Sequence, residues 1–160
     1  MLGAYQYQYR RRCRFLGAVA IVALIAALAA KAAPTAPSTL EELKAKLASA
    51  SVGDRPHLCV QIAQLQLTET DKLYAGAQDE KAHVSLADVV TYSELARDYA
   101  IQSHKYQKQT EIAVRGMARK LTEVMHSLAH DDQAPVQDAV KRLDRVRDDL
   151  LMSMFPKGQK

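Results

Sequence analysis

Apolar residues recur at spacings of three and four from Leu40 to Met154, and alternation at a spacing of two never persists for more than a few residues. That periodicity predicts amphipathic helices and no sheet. Ser38-Thr39-Leu40-Glu41 has the form of a capping box, in which Ser38 accepts from a helix amide and Glu41 returns the bond. Leu40, Leu43 and Leu47 follow on one stripe, and this first helix ends around Ser51 to Gly53. Asp54 opens a second helix, with Pro56 in the first turn, where amides lack partners anyway. Leu58, Ile62, Leu65 and Leu73 fall close to one face, Cys59 and Tyr74 lie at its edge, and Gly76 is a natural C-terminal stop.

Asp79-Glu80 begins a third helix. Tyr92, Ala96, Tyr99, Ser103, Tyr106, Thr110, Ala113, Met117, Leu121, Val124 and Leu128 recur four and three apart with a single slip. No proline occurs from Gly76 to Gln133, and Gly116 is the only glycine after Gly76 in that stretch. The stripe predicts one helix from about Glu80 to Ala129, on the order of 75 Å long. The alternative is a break near Ser103-His104-Lys105, where the stripe is weakest. Asp131 or Asp132 caps the last helix, whose apolar face is Val136, Val140, Leu143, Val146, Leu150 and Met154. Its charged side, Lys141, Arg142, Asp144, Arg145, Arg147, Asp148 and Asp149, is expected to stay in water. Pro156 and Gly158 end it.

Burying these stripes gives an all-α fold: antiparallel helical hairpins in a bundle of three to four helices, elongated around the long central one. If that helix breaks, the pieces form a compact antiparallel four-helix bundle. Each buried Leu or Val contributes roughly 1.5–3 kcal/mol, so aspartate at Leu65 or Leu143 is expected to unfold the domain.

The N-terminal segment has a different texture. Arg10, Arg11, Arg12 and Arg14 precede the uncharged run Phe15 to Ala30, and Ala30-Lys31-Ala32 follows as a small-x-small pattern. This is the order of a secretory signal peptide. Residues 1–33 are read as that signal helix, 34–37 as a linker, 38–156 as the helical domain and 157–160 as a tail. Residues 15–30 are slightly short for a stable span, and if uncleaved they anchor the protein in the inner membrane. Arg11-Arg12-Cys13-Arg14-Phe15-Leu16 resembles a twin-arginine signal but carries one residue too many before Phe15, so general secretion is expected. The protein is expected in the periplasm or cell envelope, touching the membrane only through this segment.

The leader also changes the meaning of the charge. The chain carries 22 Lys+Arg and 18 Asp+Glu, a net of +4. Arg10, Arg11, Arg12, Arg14 and Lys31 belong to the leader, so the remainder has one net negative charge. A nucleic-acid partner needs a basic face that survives processing, and none is expected here. Cys13 precedes the apolar run, unlike the lipid-bearing cysteine of a lipoprotein. Cys59 is then the only thiol after cleavage and is read as a small buried hydrophobe.

Candidate chemistry is sparse. His126 and His130, four apart, are metal candidates, with Asp131 or Asp132 able to add oxygen and Met125, Met152 and Met154 inviting copper. The competing reading places both histidines near exposed helix carbonyls, and it leads us to expect no metal and no cofactor. Tyr92, Tyr99 and Tyr106 repeat at seven residues, either as an interaction face or as a half-buried seam with hydroxyls reaching water. The sequence has no glycine-rich phosphate loop, nucleophile elbow, His-Glu-x-x-His or haem-attachment motif. Glu41-Glu42 and Asp148-Asp149 read as outward, solubilising pairs, so no catalysis is expected.

The segment Leu73 to Ala82, with Tyr74, Gly76, Asp79, Glu80 and Ala82, resembles the turn of a tetratricopeptide repeat. The flanking helices exceed a thirty-four-residue period and no second copy follows. Leu40 to Phe155 also resembles uncharacterised bacterial exported proteins with the same plan of leader and helices, a resemblance that transfers no functional residues. The expectation is a non-enzymatic envelope protein that presents amphipathic faces to a protein partner or to itself, with a ligand- or metal-binding bundle as the alternative.

Overall fold

The first helix begins one residue later than its capping signal suggests. A computed structural model describes residues 39–156, so Ser38, the leader, the linker and the 157–160 tail lie outside the described residues. Helix α1 (Leu40–Ser49) is capped by Thr39: its hydroxyl accepts from the Glu42 amide, and the Glu42 carboxylate accepts from the Thr39 amide, both at 3.3 Å. Tandem Ser38-Thr39 and Glu41-Glu42 allow two boxes one residue apart, and the later one forms. The remaining helices are α2 (Arg55–Ala75), α3 (Asp79–Ser103), α4 (Gln107–Ser127) and α5 (Gln133–Met154), with a short 3-10 turn at His130–Asp132 before α5. The described residues contain no strand. No helix among them is long and apolar enough to cross a membrane.

The turn from α2 to α3 stops the helix as expected, by an unexpected residue. The amide of Gln78 reaches back to the Leu73 carbonyl at 2.9 Å and that of Ala77 to Tyr74 at 3.1 Å, the bond pair of a Schellman motif. The left-handed position in this motif belongs to Ala77, at φ 52°. Gly76 sits one residue earlier at φ −91°.

The long central helix expected from the stripe is not continuous. It breaks at His104-Lys105-Tyr106, where His104 and Tyr106 both adopt the left-handed conformation, at φ 54° and 60°. The Ser103 hydroxyl caps the break, donating to the Tyr99 carbonyl at 2.6 Å and accepting from the Lys105 amide at 3.3 Å. Reversal lets α4 and α5 cover apolar faces of α2 and α3 that an extended rod leaves in water. For a single chain, that burial outweighs the strain of the loop.

The chain therefore forms two antiparallel hairpins, α2–α3 and α4–α5, packed into a four-helix bundle. Between hairpins, α3 lies beside α5 and α2 beside α4. Glu94 and Arg97 of α3 reach Arg142 and Asp149 of α5 in the same order, so that pair runs parallel. Helix α1 lies on α2 and buries Leu43. The core includes Ala63, Leu67, Leu86, Val89, Val114, Leu121, Val136, Leu143, Val146 and Leu150.

Helix α2 is rotated from its expected setting. Leu65 is 38 % exposed, while Cys59, Ile62, Ala63, Gln66, Leu67, Thr70 and Tyr74 face inward. Its largest aliphatic residues misled the stripe because polar Gln66 and Thr70 occupy buried positions with their own partners. Thr70 donates to the Gln66 carbonyl at 2.8 Å, and Ser85 of α3 donates to the same carbonyl at 2.9 Å. Gln66 donates in turn to Asp88 at 2.7 Å. Burying these groups is tolerable only because each has a partner.

Candidate functional site

The two histidines with metal-ligand spacing do not share a helix. His126 is in the last turn of α4 and His130 in the 3-10 turn beyond it, both exposed. The i, i+4 register is lost because α4 ends at Ser127. Among the described residues no three His, Cys, Asp or Glu side chains group in a way that could hold a metal ion. Met125 packs against the core near that end, whereas Met152 and Met154 close α5 at the opposite end.

The three tyrosines are separated in the same way. Tyr92 packs on the core from α3. Tyr99 lies under the Arg55 guanidinium, 5.2 Å from ring centroid to carbon, and its hydroxyl accepts from Arg55 at 3.4 Å. Tyr106 is in the loop, stacked on His57 with centroids 6.0 Å apart. A strip at sevenfold spacing needs an unbroken helix, so the loop takes Tyr106 out of line with the other two.

Charges expected to lie in water are partly engaged across helices. Arg142 donates to Glu94 at 2.8 Å and Arg97 to Asp149 at 2.9 Å, closing a polar groove between α3 and α5. Burial works against the charge of Arg97, but hydrogen bonds and attraction from Asp98 and Asp149 outweigh it and raise its pKa. Glu111 is buried in the first turns of α4, where Arg147 donates to it at 3.2 Å and Arg115 stands 3.8 Å away. Arg142, Arg147 and Asp149 flank the apolar stripe of α5, the positions from which long side chains reach a neighbouring helix. That placement is the signal in the sequence that identifies them.

Besides that polar groove, the described residues form a concavity of about 460 Å³ along α2 and α3, beside Gln66, Lys81, Val84 and Asp88, and two more between the hairpins. Between α2 and α4 runs a groove of about 440 Å³ lined by Gln64, Leu67, Thr68, Ile112, Ala113, Gly116 and Met117. Ile112 is 47 % exposed, and a side chain added at Gly116 would meet nothing within 4 Å. Leu65 is also exposed on α2 but does not line the groove. Sequence periodicity misses the groove because Ile112 lies off the apolar stripe and reads as an isolated apolar residue.

Between α3 and α5 lies a smaller cavity of about 190 Å³, lined mostly by Leu86, Ala87, Val90, Pro135 and Ala139, with His83, Asp138 and Arg142 as its polar members. His83 Nε2 and the nearby Tyr74 hydroxyl are buried without hydrogen-bond partners, the rings meeting edge to face at 6.1 Å. Burial, then the charges of Asp79 and Asp132, push the Tyr74 phenol up to about 12. Cys59 has no exposed surface, and desolvation raises its thiol to about 11 against the opposing pull of Arg55. It is a packed hydrophobe in the folded state, with little thiolate to react.

The bundle ends differ in character. One carries Asp79, Glu80, Asp131 and Asp132 with Lys72 and Lys81. The other carries Lys46, Arg55, Lys105 and Lys108 with Asp54, together with exposed Val52, Tyr106 and Phe155. The chain matches no protein-family model, no curated protein and no solved structure.

Proposed function

We propose that this protein is a non-enzymatic interaction module of the bacterial cell envelope, exported by its N-terminal segment and acting through a helical face offered to a protein partner. The observation that carries the reading is the α2–α4 groove, where Ile112 stands exposed beside the open surface over Gly116, with Leu67, Ala113 and Met117 in its walls. Apolar residues rimming a concavity of this kind gain free energy when a complementary helix covers them. Support also comes from the acids and bases of α3, α4 and α5, which neutralise one another in pairs. Export rests on the arginine cluster, apolar run and small-x-small pattern of residues 10–32.

Photo-crosslinking from groove positions 68 and 112 in intact cells tests the reading. A discrete adduct in the envelope fraction is expected from both, and none from Asp144 on the exposed side of α5. Equal labelling at all three positions, or none at the groove, would refute it. Mass spectrometry of the N-terminus tests processing, with a new terminus at Ala33 expected.

A second reading is favoured by the unpartnered Tyr74 hydroxyl and His83 Nε2 beside the α3–α5 cavity: a small, mainly apolar molecule with one or two hydrogen-bonding groups sits there. Native mass spectrometry of the protein purified from its own envelope would reveal it as a bound mass, lost when Ala139→Phe fills the space. A spectrum showing the bare chain mass alone excludes this reading.

A further inference from the structure

The loop that breaks the central helix does not break its pattern. On α3 the buried positions Leu86, Val89, Ser93, Ala96 and Ala100 alternate three and four apart. On α4 the buried positions Thr110, Val114, Met117, Leu121 and Val124 do the same. Half-buried Ser103 and Gln107 join the two series with no slip, so one heptad register runs through the reversal. A three-residue loop between independent helices has no reason to preserve that register.

The closed loop is also poorly satisfied. His104 and Tyr106 hold a left-handed backbone that disfavours any residue with a Cβ. Helix α4 starts without a side-chain cap, and the buried Thr110 hydroxyl in its first turns has no partner. In a continuous helix, the first amides of α4 pair with the last carbonyls of α3. Neither proline nor glycine stands between Ala77 and Arg115 to prevent it.

We propose that residues 104–106 are a hinge whose straightening fuses α3 and α4, and that two copies of this chain exchange their α4–α5 hairpins to form a swapped dimer. The partner is a second copy because every contact between hairpins can re-form between chains, including Glu94 with Arg142, Arg97 with Asp149 and Asp71 with Lys120. Short loops held in unfavourable conformations promote such exchange. The inference is independent of the groove reading, since a swapped dimer rebuilds the α2–α4 groove.

The test uses the full chain in mild detergent with Cys13→Ser, Val84→Cys and His126→Cys, spin-labelled and diluted into unlabelled protein so that only distances within one chain are read. Both positions lie at one end of the folded bundle, separated by roughly 10–20 Å on the scale of helix packing. A fused helix separates them by about 63 Å. The dimer fraction should show the long distance and the monomer fraction the short one. His104→Ala/Tyr106→Ala should raise the dimer association constant, and His104→Gly/Tyr106→Gly should lower it, by about tenfold or more from the relief of two left-handed residues. A dimer with only the short distance overturns the proposal. So does an alanine variant that folds by circular dichroism yet never dimerises, or a folded glycine variant that dimerises equally well.

Discussion

Exchanging two adjacent residues, Gly76→Ala with Ala77→Gly, should stabilise this protein. Ala77 holds the left-handed position of the α2 Schellman motif at φ 52°, a conformation costing a non-glycine residue roughly 1–2 kcal/mol. Gly76, at φ −91° and ψ 9°, makes no use of its freedom. A Cβ there would approach nothing closer than 3.4 Å, the separation from the Gln78 side-chain amide and the Lys72 carbonyl. Because the exchange keeps composition constant, the extra freedom glycine brings to the unfolded chain nearly cancels. What remains is relief in the folded state, about 1–2 kcal/mol, or roughly 3–10 °C in Tm for a domain of this length. Urea denaturation should show a higher midpoint with unchanged m. Gly76→Ala alone should contribute about 0.4–1 kcal/mol through the unfolded chain. An exchanged variant no more stable than the natural chain would refute the reasoning, because it would mean the Ala77 conformation costs nothing here.

Four further outcomes follow from packing and charge. Leu143→Asp should abolish cooperative unfolding by circular dichroism, since Leu143 has no exposed surface, whereas Leu65→Asp should shift Tm only slightly at a 38 % exposed position. Arg147→Ala should cost more than Glu111→Gln in urea, about 1–3 kcal/mol, because it leaves a buried carboxylate with only Arg115 at 3.8 Å; equal costs would refute the pairing. Cys59 should resist a thiol-specific reagent at pH 8 until denaturant is added. With folded pKa values raised to about 11 for Cys59 and about 12 for Tyr74, the unfolded chain ionises first. Their contribution is complete below pH 9 and lost as pH rises through 11 to 12, so Tm should fall over that window, and less so in Cys59→Ala.

The last helix was readable in the sequence because its buried positions, Val136, Leu143, Val146 and Leu150, are aliphatic and its outer positions charged. The face of α2 was not, since Gln66 and Thr70 sit inside through hydrogen bonds that hydrophobicity does not encode. The break after Ser103 stood in the sequence only as the alternative to one long helix, because a heptad continues across it and neither glycine nor proline announces the reversal. The groove and the α3–α5 cavity depend on which helices become neighbours, a tertiary fact that spacing within one helix does not contain. The candidate pair His126 and His130, where no metal was expected, is parted for a local reason, the end of α4 at Ser127.

The unlike ends of the bundle have one more consequence. Because two of its four principal helices point each way, their macrodipoles largely cancel, leaving side chains to set the electrical polarity. At physiological ionic strength a charge is felt over about 8 Å, far less than the roughly 32 Å length of α2. An approaching body therefore meets one pole at a time: a cationic cap bearing Tyr106 and Phe155, or an anionic cap around Asp79 and Asp131. The two ends of the bundle thus discriminate independently, with salt able to silence either one.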